Sequence, residues 1–155
     1  MLPIESATLL YRELVKIATH PSWSPDERVL ALAGLMERLF FEATRKEQIA
    51  FSTLFARISY AGHLFRIQPE VLQVIHRFRL AAKKVRNGRP AGEQTVGLGL
   101  RAVAEAVLVL TGAAIPQEVL DTWGDTDRVA EPDQAEGSLG FSATVRVVAI
   151  DDRPE

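Results

Sequence analysis

Gln68-Pro69-Glu70-Val71-Leu72-Gln73-Val74-Ile75-His76-Arg77-Phe78-Arg79-Leu80-Ala81-Ala82-Lys83-Lys84-Val85-Arg86-Asn87-Gly88 carries the clearest fold signal in the chain. Val71, Ile75, Phe78, Ala82 and Val85 recur at spacings of four and three, the period that gathers apolar side chains on one face of an α-helix. Pro69 suits an early helical position, where its missing N–H leaves no carbonyl unpaired. At the other end, Asn87-Gly88 tolerates left-handed backbone and Pro90 follows, so the helix stops there.

Downstream, Val96, Leu100, Val103, Val107 and Leu110 repeat the same spacing and end at Gly112, which predicts another helix. Gly97 and Gly99 weaken its first turns by roughly 1 kcal/mol each relative to alanine, which points either to close packing against a neighbour or to a frayed start. Gln117 to Trp123 adds one short helical turn. Upstream, Phe51, Leu54, Phe55, Ile58, Ala61 and Phe65 form one face of a third helix. Val29, Leu32, Met36, Leu39 and Ala43, widened by Leu35 and Phe40, form the seam of a second. Ser24, Pro25 and Glu27 read as its N-cap, first helical residue and capping-box partner. That pattern fades at Thr44-Arg45-Lys46-Glu47, where a break or bend is expected. Ala7, Leu10, Leu14 and Ile17 define a first amphipathic helix over Ile4 to Thr19.

The fold class is therefore all-α, a four- to five-helix antiparallel bundle over residues 1–123, since short connections favour antiparallel neighbours. Between Gly124 and Gly140, Asp125, Asp127, Glu131, Asp133 and Glu136 sit among glycine and proline, which reads as an acidic linker. Phe141 to Ile150 is rich in β-branched residues, so 141–155 reads as a β-segment. A lone strand needs a pairing partner. It folds back, pairs across a dimer, or opens a second, mostly β domain, and the last is the expected origin.

The 155 residues are 47% hydrophobic and 25% charged with a net charge of −2, enough for one core and without overall attraction to nucleic acid or anionic membrane. With no cysteine, disulfides, thiolate metal sites and cysteine nucleophiles are excluded. A cytoplasmic setting fits. Met1 to Ser6 has no basic leader before a long apolar run, so neither a signal peptide nor an anchor is expected. The apolar run Ala102 to Ala114 carries Glu105 and is shorter than the about 20 residues a bilayer requires. It predicts a buried core helix and no membrane partner.

His20, His63 and His76 have no second ligand at the spacing of a helical metal site, so no metal or other cofactor is expected. Gly97-Leu98-Gly99-Leu100-Arg101 follows no strand and lacks a phosphate-loop lysine. No serine sits in a nucleophile elbow. The catalytic set is accordingly empty and the chain is expected not to be an enzyme by itself.

The distinctive feature is charge. From Arg66 to Arg89 the chain carries Arg66, Arg77, Arg79, Lys83, Lys84, Arg86 and Arg89 against Glu70 alone. His76, Arg79, Lys83 and Arg86 share one stripe beside the apolar seam. Arg77, Arg79, Lys83, Lys84 and Arg86 are the candidate residues for contact with nucleic-acid phosphates or an acidic protein; an ordinary solvated helix side is the competing reading. Phe40, Phe51, Phe55, Phe65 and Phe78 fit core positions and do not interleave with this stripe. Phe41 and Leu64 fall off their seams, which predicts a second apolar surface on the middle helices, suited to a homodimer or a docked partner.

The runs Ser24 to Leu39, Gln68 to Arg79 and Val85-Arg86-Asn87-Gly88 together resemble the HEPN superfamily of helical bundles. The nearer likeness is to its catalytically silent members found in front of bacterial helicases and restriction motor subunits. The resemblance spans Ser24 to Gly112, with Arg86-Asn87 standing at the family's arginine-asparagine pair. HEPN ribonucleases place a histidine shortly after that arginine, and Asn87-Gly88-Arg89-Pro90-Ala91-Gly92 supplies none, so the resemblance implies a chain without ribonuclease activity. It implies instead a non-catalytic N-terminal accessory module of a larger nucleic-acid-processing protein, with the motor beyond Glu155. The alternative is a structural protein-interaction or dimerisation module with no nucleic-acid role.

Overall fold

In the computed structural model, residues 2–123 are described, and the acidic linker and β-segment expected over 124–140 and 141–155 lie outside them. The described residues contain six α-helices: α1 (Ile4–Thr19), α2 (Pro25–Thr44), α3 (Leu54–Leu64), α4 (Pro69–Arg86), α5 (Glu93–Thr111) and α6 (Gln117–Trp123), with a 3₁₀ turn at Arg45–Glu47. No strand occurs among them. The expected count of four to five is exceeded because the turn read at Gln117 to Trp123 is a complete short helix, with Val119 buried on its inner side.

Local signals place most boundaries. The Ser24 hydroxyl accepts from the Glu27 N–H at 3.2 Å while the Glu27 carboxylate accepts from the Ser24 N–H at 2.8 Å. Two of the helix's unpaired donors are thereby satisfied, worth about 1 kcal/mol. Gly88 and Gly112 take positive φ of 98° and 81° just after α4 and α5, a conformation that costs glycine nothing. Across the next connection the Ala91 N–H donates to the Asp26 carboxylate at 2.7 Å, which ties the α4–α5 loop to the first turn of α2.

The core gathers around α5. Ala102, Val103, Ala104, Ala106, Val107 and Leu110 are fully buried, and α1, α2, α4 and α6 all pack on this helix. A helix apolar nearly all round belongs at the centre of a bundle. Its length and composition alone would let it cross a membrane, yet most of it is enclosed by its neighbours. Gly99 explains the closeness: a Cβ there would lie 2.6 Å from the Phe78 ring and 3.0 Å from Leu32. Of the two roles open to these glycines, Gly99 serves close packing, and Gly97 is buried as well.

Two core assignments are corrected. On α1 the buried face is Ala7, Tyr11, Leu14 and Ile17, with Tyr11 in the place expected for Leu10. Tyr11 reaches the position because its hydroxyl donates to the Ala113 carbonyl at 2.8 Å, so the polar tip is satisfied inside the core. Burial pushes its phenol up to about 12. Leu10 is only half-buried.

The second correction concerns α3. The Thr53 hydroxyl accepts from the Ala56 N–H at 3.0 Å and starts the helix at Leu54, leaving Phe51 in the preceding loop. Only Ile58, Ala61 and Gly62 of α3 are buried; Phe51 and Phe65 are half-buried and Phe55 is 51% exposed. Three of the five phenylalanines expected in the core therefore stand at or near the surface, while Phe40 and Phe78 are fully enclosed.

Candidate interaction surface

The five basic candidates of α4 fall on two flanks of its apolar seam. Arg79, Lys83 and Arg86 follow at spacings of four and three, together with His76, and so share one flank. Arg77 and Lys84, seven residues apart, lie exposed on the other. Lys83 is also exposed. Arg86 donates to the Glu37 carboxylate at 2.6 Å, an exposed ion pair that joins the end of α4 to α2.

Arg79 and His76 are built into a small cluster with an aromatic ring from α3. The Arg79 Nε donates to His76 Nδ1 at 3.2 Å, which assigns the imidazole proton to Nε2. The Arg79 guanidinium carbon lies 5.1 Å from the centre of the Phe55 ring, within reach of a cation–π attraction. The Phe55 and His76 rings stand 5.0 Å apart at 40°. Burial, and secondarily the Arg79 charge, push the His76 pKa below its ordinary value, so the neutral acceptor form is favoured. The cluster holds Arg79 in place and leaves Phe55 half-exposed.

The ring that completes this cluster was missed by sequence reasoning. Phe55 shares the apolar spacing of Ile58, but it sits at the margin of the buried α3 strip, where the neighbour across the groove is the charged flank of α4. Thr53, a good N-cap two residues earlier, is the signal that moves the helix start and turns Phe55 to this margin.

A second aromatic and cationic cluster occupies the opposite side of α3. Arg57 lies between two phenylalanines, its guanidinium carbon 5.1 Å from the Phe41 ring centre and 4.8 Å from that of Phe51. It also donates to the Thr44 hydroxyl at 2.7 Å. The Tyr60 hydroxyl donates to Glu47 at 2.7 Å, and the Phe51 and Tyr60 rings are 5.3 Å apart. That hydrogen bond, then burial and the Glu47 charge, raise the Tyr60 pKa. Beside this cluster α1, α2 and α3 border an open cleft of about 1290 Å³. Phe41 at 48% and Leu64 at 40% exposure line it, as expected of residues off their seams.

His63 is exposed, and His20 stacks on Trp23 at 4.3 Å. Among the described residues no group of three or more His, Cys, Asp or Glu side chains is placed to hold a metal ion. Gly97 and Gly99 are enclosed inside α5 and form no phosphate-cradling loop. The chain matches no protein-family model, no curated protein and no solved structure.

Proposed function

We propose that the helical unit is a non-catalytic binding module whose α3–α4 face takes single-stranded nucleic acid, in the manner of an HEPN-like accessory domain serving a helicase or nuclease motor. The observation that carries this reading is the half-exposed Phe55 ring, braced by His76 and Arg79 beside the exposed Lys83. A flat ring open to solvent offers any base a stacking surface, and cations alongside it neutralise the backbone phosphates. The sequence favours the same sign of partner. Residues 1–123 hold 15 Lys and Arg against 12 Asp and Glu, whereas 124–155 hold 3 against 8, so the slight overall negative charge conceals a basic helical unit.

Catalysis is not part of the reading. The segment after Arg86 brings no imidazole, and the guanidinium itself is engaged with Glu37. Localisation in the cytoplasm belongs to the same proposal, as a setting in which such a module meets nucleic acid.

Titration of labelled single- and double-stranded DNA and RNA at several salt concentrations tests it. Two phosphate contacts, from Arg79 and Lys83, predict that the logarithm of the single-strand binding constant falls against that of salt with a slope of about −1.4. Arg79→Glu with Lys83→Glu should abolish binding. Absence of binding to every strand at low salt removes the proposal. A second reading, a docking module for another protein, is favoured by a different observation: the cleft lined by the exposed Phe41 and Leu64.

A further inference from the structure

We propose that the cleft between α1, α2 and α3 is a docking groove for an acidic amphipathic helix of a partner protein. This gives the docking reading its partner and does not depend on nucleic-acid binding by the α3–α4 face.

The shape points to a peptide segment. At about 1290 Å³ the cleft exceeds the roughly 300–1000 Å³ of typical small-molecule sites, and it is open along its side. Its lining is apolar where the helices meet, with Leu10, Leu39, Leu54 and Phe65, and carries Leu9, Phe41 and Leu64 at its mouth. Leu9 is 66% exposed. Apolar side chains at both the floor and the rim of a groove suit a helix that inserts residues spaced at i, i+3, i+4 and i+7. A bilayer surface meets convex ground more readily than a concavity of this kind.

The charge of the partner follows from the lining. Each of its three carboxylates already has a partner within the molecule: Glu37 accepts from Arg86 at 2.6 Å, Glu42 forms an ion pair with Arg45 at 3.5 Å, and Glu47 accepts from the Tyr60 hydroxyl at 2.7 Å. Arg38 and Lys46 line the same cleft, are exposed and form no ion pair among the described residues. Arg57 lines it too, and among the described residues its partners are the neutral Thr44 hydroxyl and two phenylalanine rings. Three cations without a carboxylate partner among the described residues therefore stand around an apolar groove. An incoming helix with carboxylates beside its apolar stripe would pair with them, and one carrying lysines would meet repulsion.

The probe is a fluorescein-labelled synthetic amphipathic helix of about four turns, with leucines at the i, i+3, i+4, i+7 spacing and glutamates on its flanks. Its counterpart carries lysines in their place. Fluorescence anisotropy with the full chain should show the glutamate peptide binding at least about tenfold more tightly. Arg38→Glu combined with Lys46→Glu should reverse that preference, with helicity by circular dichroism confirming that the variant folds. Phe41→Ala should weaken binding of the glutamate peptide. Phe55→Ala, on the far side of α3, should leave it unchanged, which separates this groove from the nucleic-acid face. The proposal is overturned if neither peptide binds, if the two bind alike, or if the charge-reversed variant keeps the original preference. Sedimentation showing that a second copy of the chain fills the cleft overturns it as well. So does binding to phosphatidylglycerol vesicles without peptide discrimination.

Discussion

Helices α5 and α3 are both apolar in composition, and they use that apolarity in opposite ways. α5 is enclosed by α1, α2, α4 and α6, and eleven of its nineteen residues are buried. α3 buries three of eleven, and the aromatic residues on and around it accept cations at the surface. The contrast teaches that stability and recognition are carried by separate elements here. Substitutions around α5 should unfold the chain, and substitutions at the α3 rings should alter what it binds while the fold persists.

The largest effect expected on the stable side of that comparison is Phe78→Ala. The ring is fully buried on α4 against α5, and its removal should cost about 3–5 kcal/mol in urea unfolding. Gly99→Ala should follow at about 1–3 kcal/mol, because the added methyl would overlap the Phe78 ring. If Gly99→Ala were neutral, the close α4–α5 contact would not be the determinant of packing proposed for it. On the other side, Phe55→Ala should change stability by less than about 1 kcal/mol, as for an exposed residue, while weakening single-strand binding by about tenfold. A large loss of stability from Phe55→Ala would break the distinction between the two helices.

Two smaller effects depend on pH. Tyr11 holds a proton more firmly in the folded state, near 12 against an ordinary value near 10. A group with a raised folded pKa contributes stability that is complete below the unfolded value and is lost as pH rises through the folded one. Unfolding free energy should therefore decline above about pH 10, and Tyr11→Phe should reduce that decline, to which Tyr60 with its raised pKa also contributes, while costing about 1 kcal/mol for the unpaired Ala113 carbonyl. His76 works in the other direction. Its lowered pKa means that stability is present above the ordinary histidine range and is lost as pH falls through the folded value, when protonation of Nδ1 breaks the Arg79 hydrogen bond. A titration followed by the His76 ring resonances should show its midpoint below the ordinary histidine value.

The difference between the two helices also explains what was legible in the sequence. Periodicity reads burial, so α4, α5 and the capping box of α2 were found close to their true limits. The Tyr11 position was hidden because a phenol counts as polar until its hydroxyl finds the Ala113 carbonyl, which lies 102 residues away in the chain. Phe55 was hidden for a related reason. Apolar spacing places a ring on the inner side of a helix but cannot tell whether a core residue or an arginine of the next helix meets it there. The charge of α4 was legible as a stripe; its division into Arg77 and Lys84 on one flank and Arg79, Lys83 and Arg86 on the other needed the direction of the seam. Spacing alone assigns Arg86 to the same basic stripe, and only the approach of α2 brings it to Glu37.

The most direct test of the central claim is a residue-resolved NMR titration of the chain with a short single-stranded oligonucleotide at low salt. The account predicts amide shifts confined to α3 around Phe55 and to the His76–Lys84 part of α4, reversed by added salt, with α5 unmoved. Shifts centred elsewhere, or none at saturating oligonucleotide, would contradict it.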